Sequence, residues 1–189
     1  MDGLARRIDV KSTIIDWATL KVNPSVIAEN SQRVKERFVP QLEPIRQESV
    51  AVCAYGPSLK ETWREAAQFK TIITCSGAHD FLLGKGIVPT FHVESDPRTH
   101  KARMLTPHED VTYLVASICH PEYLDALEQA RVRIVLWHPL LEEAYDLLPG
   151  GEWIITGGSI IGIRALQIAR LMGFLDLHIF GLDGSGKHA

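Results

Sequence analysis

The sequence of 189 residues lacks several features that would assign it to a class at once. It has only three cysteines, Cys53, Cys75 and Cys119, and no Cys-x-x-Cys pair, which argues against a disulfide framework and favours reduced thiols in a cytoplasmic protein. No stretch reaches the ~20 uncharged apolar residues of a membrane-spanning helix. The N-terminal residues carry charges with no apolar stretch behind them, so we predict no secretory signal.

An excess of positive charge is also missing. Lys and Arg number 20 against 23 Asp and Glu, which gives a net charge of −3. A chain with this balance has no general basic surface for a phosphodiester backbone, so no nucleic-acid partner is predicted. Neither a Walker A motif nor G-x-G-x-x-G occurs, so any nucleotide site must be recognised by other signals. Hydrophobic residues make up 46%, as in soluble globular proteins.

The chain divides into two segments with different patterns. Residues 1–48 carry no strong strand signal and predict an N-terminal helical extension, in which one helix starts after Asn23 and continues to Pro40. In residues 49–189 short apolar runs alternate with amphipathic stretches, which predicts an α/β fold with a mostly parallel sheet of about six or seven strands and helices on both faces. The predicted strands are Ser49–Tyr55, Lys70–Cys75, Thr90–Glu94, Val111–Ser117, Val132–Trp137, Trp153–Thr156 and Leu175–Phe180. The main predicted helices of this segment are Leu59–Phe69, Pro121–Ala130, Pro139–Leu148 and Ser159–Met172.

Small and polar residues follow the predicted strands, where open parallel sheets bind their ligands. Two turns lead from a strand into a helix with glycine and serine, and glycine there lets an anion approach the backbone N–H groups and the helix dipole. We expect both turns to hold the phosphate of one shared ligand; capping of the following helix is the alternative for each. The predicted phosphate- or nucleotide-binding residues are Gly56, Pro57, Ser58, Ser76, Gly77, Gly157, Gly158, Ser159 and Asp183.

Two residues are predicted to carry the chemistry. Asp96 follows a strand and can bind a ribose hydroxyl or a Mg²⁺ ion with phosphates, or else cap a helix that starts at Pro97. The neighbouring Arg98, Lys101 and Arg103 can neutralise a diphosphate or form a solvated helix face. His188 titrates near neutrality and is the candidate general base; a purely structural residue is the alternative.

The order of these motifs resembles a known family. Gly56-Pro57-Ser58-Leu59, Gly86-Ile87-Val88-Pro89, Asp96-Pro97, Gly157-Gly158-Ser159, Gly181-Leu182-Asp183 and a late His188 are similar to the series in the MptE-like family, which includes the central domain of bacterial motility accessory factors. A more distant resemblance is to bacterial sialyltransferases that use CMP-sialic acid. The resemblance implies a Rossmann-like nucleotide-binding domain over residues 49–189. It also implies that the Gly-Pro-Ser turn lies by the donor, with the Gly-Gly-Ser turn opposite and His188 as a base.

The resemblance leads to one functional expectation and two alternatives. We expect a transferase that uses a nucleotide-activated donor, a CMP-sugar or another nucleotide-linked sugar, and an acceptor hydroxyl that His188 deprotonates. The first alternative is an ATP-dependent diphosphokinase acting on a 6-hydroxymethylpterin-like alcohol, with Asp96 as the ligand of Mg²⁺. The second is a non-catalytic nucleotide-binding or assembly module. The sequence identifies no acceptor and leaves open whether the chain forms a homo-oligomer.

Overall fold

A computed structural model describes residues 23–41, 46–140, 152–158 and 160–184. Each of the seven predicted strands is present. Most are shorter than predicted at one or both ends, and the fifth continues two residues beyond its predicted end. The strands are β1 Val50–Cys53, β2 Thr71–Cys75, β3 Phe91–Glu94, β4 Thr112–Ala116, β5 Arg133–Pro139, β6 Ile154–Ile155 and β7 Leu177–Phe180. The helices of the described residues are α1 Pro24–Arg33, α2 Leu59–Ala66, α3 Ala78–Leu83, α4 His100–Met104, α5 Pro121–Gln129 and α6 Ile161–Leu171. None of these helices has the length and apolarity needed to cross a bilayer.

The seven strands form one parallel sheet in the order β6-β5-β4-β3-β2-β1-β7. From β1 to β6 each new strand joins the same side of the sheet, and β7 then returns to the other side of β1. The direction in which strands are added therefore reverses between β1 and β7. Open α/β sheets bind ligands at the carboxyl ends of the strands, at such a switch point. The α/β, Rossmann-like arrangement expected from the sequence is confirmed.

Side chains of the central strands alternate between two cores, one on each face of the sheet. On β1, Val50 and Val52 pack with α6 residues such as Ile168, whereas Ala51 and Cys53 pack with Leu59 of α2. All four β1 residues are buried, as expected of a strand covered by helices on both faces. The helices thus cover the two faces and leave the carboxyl edge of the sheet for the connecting turns.

Two predicted helices differ from the structure. The N-terminal helix ends at Arg33, because the chain then becomes extended and Phe38 N–H donates to Leu136 O of β5 at 2.8 Å. Pro139 does not start a helix but ends β5, and the next residue, Leu140, donates its N–H to Ile155 O at 3.0 Å. Pairing with a neighbouring strand therefore overrides the local helical signal in both places. The rest of the helix predicted up to Leu148 lies outside the described residues.

Helix α1 is joined to the sheet by one buried polar side chain. Asn30 is fully buried, and its Nδ2 donates to Ser117 O at 2.9 Å and to Cys119 O at 2.8 Å. These two carbonyls belong to the turn after β4. A buried carbonyl without a donor is costly, so this amide group connects α1 to the turn after β4, and the ion pairs of Arg33 with Asp125 and Glu128 hold the same helix against α5.

We predict that Asn30→Ala lowers the free energy of unfolding by about 2–3 kcal/mol, because it leaves two buried carbonyls without their donor. Asn23→Ala is the control: it removes the side chain that caps α1 at Ser25 N–H, which costs about 1 kcal/mol. Urea unfolding measures both. A loss for Asn30→Ala no larger than that for Asn23→Ala would contradict this account.

Candidate functional site

A cavity of about 320 Å³ opens at the carboxyl edge of the sheet, beyond the ends of β1, β2 and β3. We call it the Glu94 cavity. Its volume is at the lower end of the range for small-molecule sites. Its lining includes Gly77, the aromatic rings of Tyr55, Phe81 and Tyr123, and the polar or charged side chains of Ser76, Asp80, His92, Glu94 and Lys101. Two of them, Ser76 and Gly77, are residues predicted from the sequence.

Glu94 is the most deeply buried carboxylate of this cavity. It ends β3 and is 3% exposed. Its Oε1 accepts the backbone N–H groups of Ser95 at 2.9 Å and Asp96 at 3.1 Å, and its Oε2 lies 3.8 Å from Lys101 Nζ. Burial raises the pKa of Glu94, and the charge of Lys101 opposes this shift. The result is a fixed carboxylate with a higher proton affinity than an ordinary glutamate.

Lys101 connects the ends of two strands through its ammonium group. Its Nζ donates to Ser76 Oγ at 2.6 Å and lies 3.9 Å from Asp96 Oδ2. Ser76 itself has a φ of +52°, a conformation uncommon outside glycine and often found at functional sites. The turn after β2, which contains Ser76, and the turn after β3, which contains Asp96, thus both lie against the ammonium group of Lys101. This group faces the cavity.

Asp96 lies beside this group but is bound mainly by Arg98. Arg98 Nε donates to Asp96 Oδ1 at 2.8 Å, and the backbone N–H of Arg98 donates to the same oxygen at 3.0 Å. Burial alone would raise the pKa of Asp96, but the bonds to Arg98 and the charge of Lys101 lower it. Since α4 starts only at His100, Asp96 closes a local turn and does not cap that helix.

The carboxylate oxygens of Glu94 and Asp96 fit a magnesium ion poorly. The described residues contain no cluster of three or more His, Cys, Asp or Glu side chains arranged to hold a metal. The free oxygen of Glu94 faces Lys101, and both oxygens of Asp96 accept from Arg98. Lysine and arginine thus already supply the positive charge that a divalent cation would bring, and binding one at Asp96 requires Arg98 to move.

An aromatic surface forms one wall of the cavity. The ring of Tyr55 follows β1, and its centroid lies 6.1 Å from that of Phe81. Tyr55 is 53% exposed, so one side of its ring is open to a ligand. A Cβ at Gly77 would lie 2.8 Å from Cδ1 of Tyr55. The predicted Gly77 therefore serves a steric role here, since only glycine leaves room for the ring.

Neutral polar groups form the floor of the cavity. His92 lines it from β3, and its Nδ1 is 3.1 Å from Thr74 Oγ1. Burial holds the pKa of His92 well below its usual range, with His79 and Lys101 adding to the effect, so the ring is uncharged at neutral pH. His79 Nε2 lies 3.0 Å from the hydroxyl of Tyr113 beneath it. The charged side chains of the lining are Glu94, Lys101 and Asp80, and Asp80 Oδ1 accepts the backbone N–H of Thr106 at 2.8 Å.

The Gly56-Pro57-Ser58 turn has a partner from within the chain. Ser58 N–H donates to Asp183 Oδ2 at 2.8 Å, and the Ser58 hydroxyl donates to the other carboxylate oxygen. A Cβ at Gly56 would lie 2.4 Å from Asp183 Oδ2 and 2.4 Å from Gly181 O, so this approach also requires glycine. A phosphate group at the Ser58 N–H would have to replace the Asp183 carboxylate.

The Gly157-Gly158 turn has different surroundings. The two glycines have φ values of +127° and +71° and line a separate cavity of about 230 Å³ with Arg164. Four strands lie between β6, which precedes this turn, and β1. The first predicted turn is thus held by a carboxylate, and the second lines a cavity with an arginine. Ser159 and His188, also predicted site residues, lie outside the described residues.

None of the three cysteines is a candidate nucleophile. All are buried, and burial raises the pKa of Cys53 to about 12 and that of Cys75 and Cys119 further. A thiol in this state stays protonated at neutral pH and does not attack. The three cysteines therefore supply no nucleophile to this edge of the sheet.

Comparisons with known proteins give one family and one similar fold. The family model described as 6-hydroxymethylpterin diphosphokinase MptE-like matches residues 25–187. A solved structure, the MAf glycosyltransferase from Magnetospirillum magneticum AMB-1, is similar with a TM-score of 0.70 and 20% sequence identity. That match covers 87% of this chain and 28% of the other, so this chain corresponds to a fraction of that protein. At this identity the likeness shows the fold. No curated protein matches the chain.

The buried Glu94 gives a prediction for the pH dependence of stability. Its folded-state pKa is raised, so the native protein binds this proton more tightly than the unfolded chain does. The free energy of unfolding of the wild-type protein therefore falls relative to that of Glu94→Gln as the pH rises. The fall begins at the pKa that Glu94 has in the unfolded chain and ends above the pKa that it has in the folded protein. We expect the advantage of Glu94→Gln to be absent at pH 4 and to grow toward neutral pH in urea unfolding.

Glu36→Gln is the matched control. The hydrogen bond from Arg133 lowers the pKa of the exposed Glu36, so its stabilising effect is present above the unfolded pKa and is lost as the pH falls. The two variants should then differ from wild type with opposite signs at neutral pH. The same pH dependence for both variants would show that Glu94 is not desolvated in the native protein.

Proposed function

Because the chain belongs to the MptE-like family, we propose that it is a transferase that binds a nucleotide-activated donor in the Glu94 cavity. The observation that carries this proposal is the constellation of Lys101, Ser76 and Glu94 around one opening at the carboxyl edge of a parallel sheet. This edge is where such folds hold nucleotides, and the constellation offers one cation and one carboxylate within a single cavity.

Each wall of the cavity matches one part of a nucleotide. Lys101 carries a positive charge for the phosphate, and its contact with Ser76 keeps the ammonium at the mouth. The half-exposed ring of Tyr55 offers a face on which a base stacks. Glu94 Oε2 has no backbone donor, so it can accept a hydroxyl group of the ribose or of the acceptor.

We infer that the donor is a nucleotide-linked sugar, with a CMP-sugar as the first choice. The similar fold of a protein described as a glycosyltransferase supports this choice, although at 20% identity the support comes from the fold alone. In the proposed transfer, the acceptor oxygen bonds to the anomeric carbon while the bond from that carbon to the phosphate oxygen breaks. The electron pair leaves with the nucleotide, whose added negative charge Lys101 offsets. His188 remains the predicted base for the acceptor proton.

A diphosphokinase is the second candidate, and the family description together with two adjacent carboxylates, Glu94 and Asp96, favours it. In that reaction an alcohol oxygen attacks the β-phosphorus of ATP, and AMP leaves with the electron pair. The reaction usually needs a divalent cation, for which Arg98 and Lys101 leave little room. This candidate therefore ranks below the sugar transfer. A nucleotide-binding module without catalysis is the third outcome of the test.

We predict that CMP or CDP binds with micromolar to millimolar affinity without Mg²⁺, and that Lys101→Met weakens this binding by roughly 10- to 150-fold. The range corresponds to losing one charge-assisted hydrogen bond of ~1.5–3 kcal/mol. Arg103→Met is the matched control, because it removes the same charge from the same helix at an exposed position. Isothermal titration with CMP, CDP, UDP, GDP and ATP, with and without Mg²⁺, measures the effect.

The outcomes of this titration separate the candidates. Binding of ATP alone, dependent on Mg²⁺ and abolished by Asp96→Ala, would favour the diphosphokinase. Nucleotide binding with no transfer to any sugar acceptor or alcohol would favour the module. No heat from any nucleotide at millimolar concentration, with a protein that unfolds cooperatively, would contradict the proposed nucleotide site altogether.

A further inference from the structure

The lining of the Glu94 cavity contains a buried tyrosine whose hydroxyl is unpaired within the part of the chain that the structure describes. Tyr123 lies in the first turn of α5, is 1% exposed and lines the cavity. Its hydroxyl oxygen is buried and has no hydrogen-bond partner among the described residues. Leaving such a group unpaired is costly, so folded proteins rarely do it without a reason. A ligand in the adjacent cavity would supply the missing partner.

A second buried tyrosine shows the contrasting case of a hydroxyl that the protein itself satisfies. Tyr113 on β4 is fully buried, and its hydroxyl accepts the backbone N–H of His108 at 2.8 Å and lies 3.0 Å from His79 Nε2. Tyr113 does not belong to the lining of the cavity. The two tyrosines therefore differ in two respects, because only Tyr123 borders the cavity and only Tyr113 has partners among the described residues.

The Tyr123 hydroxyl is a donor for an uncharged ligand group. Burial raises its pKa well above the ordinary value, and the negative charge of Glu94 adds to this shift. The proton therefore stays on the oxygen at neutral pH and is free for an acceptor atom of a ligand. Because Glu94 already supplies a negative charge to the same lining, a phosphate group is disfavoured beside this hydroxyl.

A neutral acceptor belongs to the same lining. Thr74 Oγ1 donates its single hydrogen to Phe91 O at 3.2 Å, so its contact of 3.1 Å with His92 Nδ1 needs the hydrogen of that nitrogen. The ring of His92 is uncharged, which leaves its Nε2 as an acceptor. Tyr123 and His92 thus provide one donor and one acceptor, and the edge of a nucleobase carries the complementary pair of groups.

We propose that the Tyr123 hydroxyl donates a hydrogen bond to the edge of the base and thereby helps to determine which nucleotide the Glu94 cavity binds. This inference rests on the proposed function, because it requires a nucleotide in this cavity. The half-exposed ring of Tyr55 supports it, since a base stacked on that ring presents its edge to the other walls. The phosphate then remains with Lys101, so the base and the phosphate contact different parts of the lining.

The test compares the affinities of wild type and Tyr123→Phe for CMP, UMP, GMP and AMP by isothermal titration. Phenylalanine keeps the ring and removes only the hydroxyl. We expect the variant to bind the preferred nucleotide roughly 5- to 30-fold more weakly, because an acceptor of the base loses its donor, and to distinguish less well among the four bases. The nucleoside of the preferred base should lose affinity by the same factor as the nucleotide.

The pattern of losses identifies the group that the hydroxyl contacts. An equal loss for all four nucleotides would assign the hydrogen bond to the ribose, which they share. A loss for the preferred nucleotide without a loss for its nucleoside would assign the bond to the phosphate. Either pattern would overturn the proposal.

Tyr113→Phe is the matched control, and melting temperatures without ligand are the second readout. Tyr123→Phe should melt at the wild-type temperature or above it, because it removes a buried hydroxyl that has no partner to lose. Tyr113→Phe should melt at a lower temperature, since it leaves the N–H of His108 without its acceptor, and should bind the preferred nucleotide within twofold of wild type. A lower melting temperature for Tyr123→Phe would show that its hydroxyl has a partner within the protein, and would overturn the proposal.

The failure of this inference is distinguishable from the failure of the proposed function. A wild-type protein that folds but binds none of the four nucleotides at millimolar concentration would contradict the proposed function and this inference with it. A wild-type protein that binds a nucleotide, with Tyr123→Phe binding it within twofold, would contradict this inference alone.

Discussion

A carboxylate buried at the end of a parallel strand needs hydrogen-bond donors and positive charge from neighbouring residues. Glu94 is nearly inaccessible to water, so its charge must be met by protein groups. Two backbone N–H groups of the following turn and the ammonium of Lys101 meet it. Lys101 in turn binds Ser76, so the turns after β2 and β3 take the positions that this charge requires. The position of Lys101 at this cavity is therefore tied to the carboxylate of Glu94.

The parallel order of the sheet separates the polar edge into distinct regions. The Glu94 cavity lies at the ends of β1 to β3, whereas Gly157 and Gly158 follow β6 at the far side. Helix α6 then runs back across the sheet and contacts β1, β2 and β3. Its first turn lies next to Leu182, so residues after β6 and after β7 become neighbours. Two cavities thus open along this edge, one beyond β1 to β3 and one at the Gly157-Gly158 turn.

Much of the fold could be predicted from the sequence, because short apolar runs between amphipathic stretches leave few alternatives to a parallel sheet. Pro139 and the segment after Arg33 were predicted as helical, because their pairing with Ile155 and Leu136 depends on residues far away in the chain. Gly77 was predicted as a site residue, but its steric role depends on the Tyr55 ring. Glu94 was missed altogether. An acidic residue that ends a short buried strand was the available signal. Its partner Lys101 was predicted either to neutralise a diphosphate or to belong to a solvated helix face.

The pairing of β7 with β1 has a consequence for how the protein is made. Val50 lies opposite Leu177, so 127 residues of synthesis separate the two partners. At ~5–20 residues per second, the outer edge of β1 waits roughly 6 to 25 s on the ribosome for its neighbour. During that interval an apolar strand has a free hydrogen-bonding edge, which invites pairing with other nascent chains. Synthesis of β7 therefore ends the period in which this edge of β1 is open.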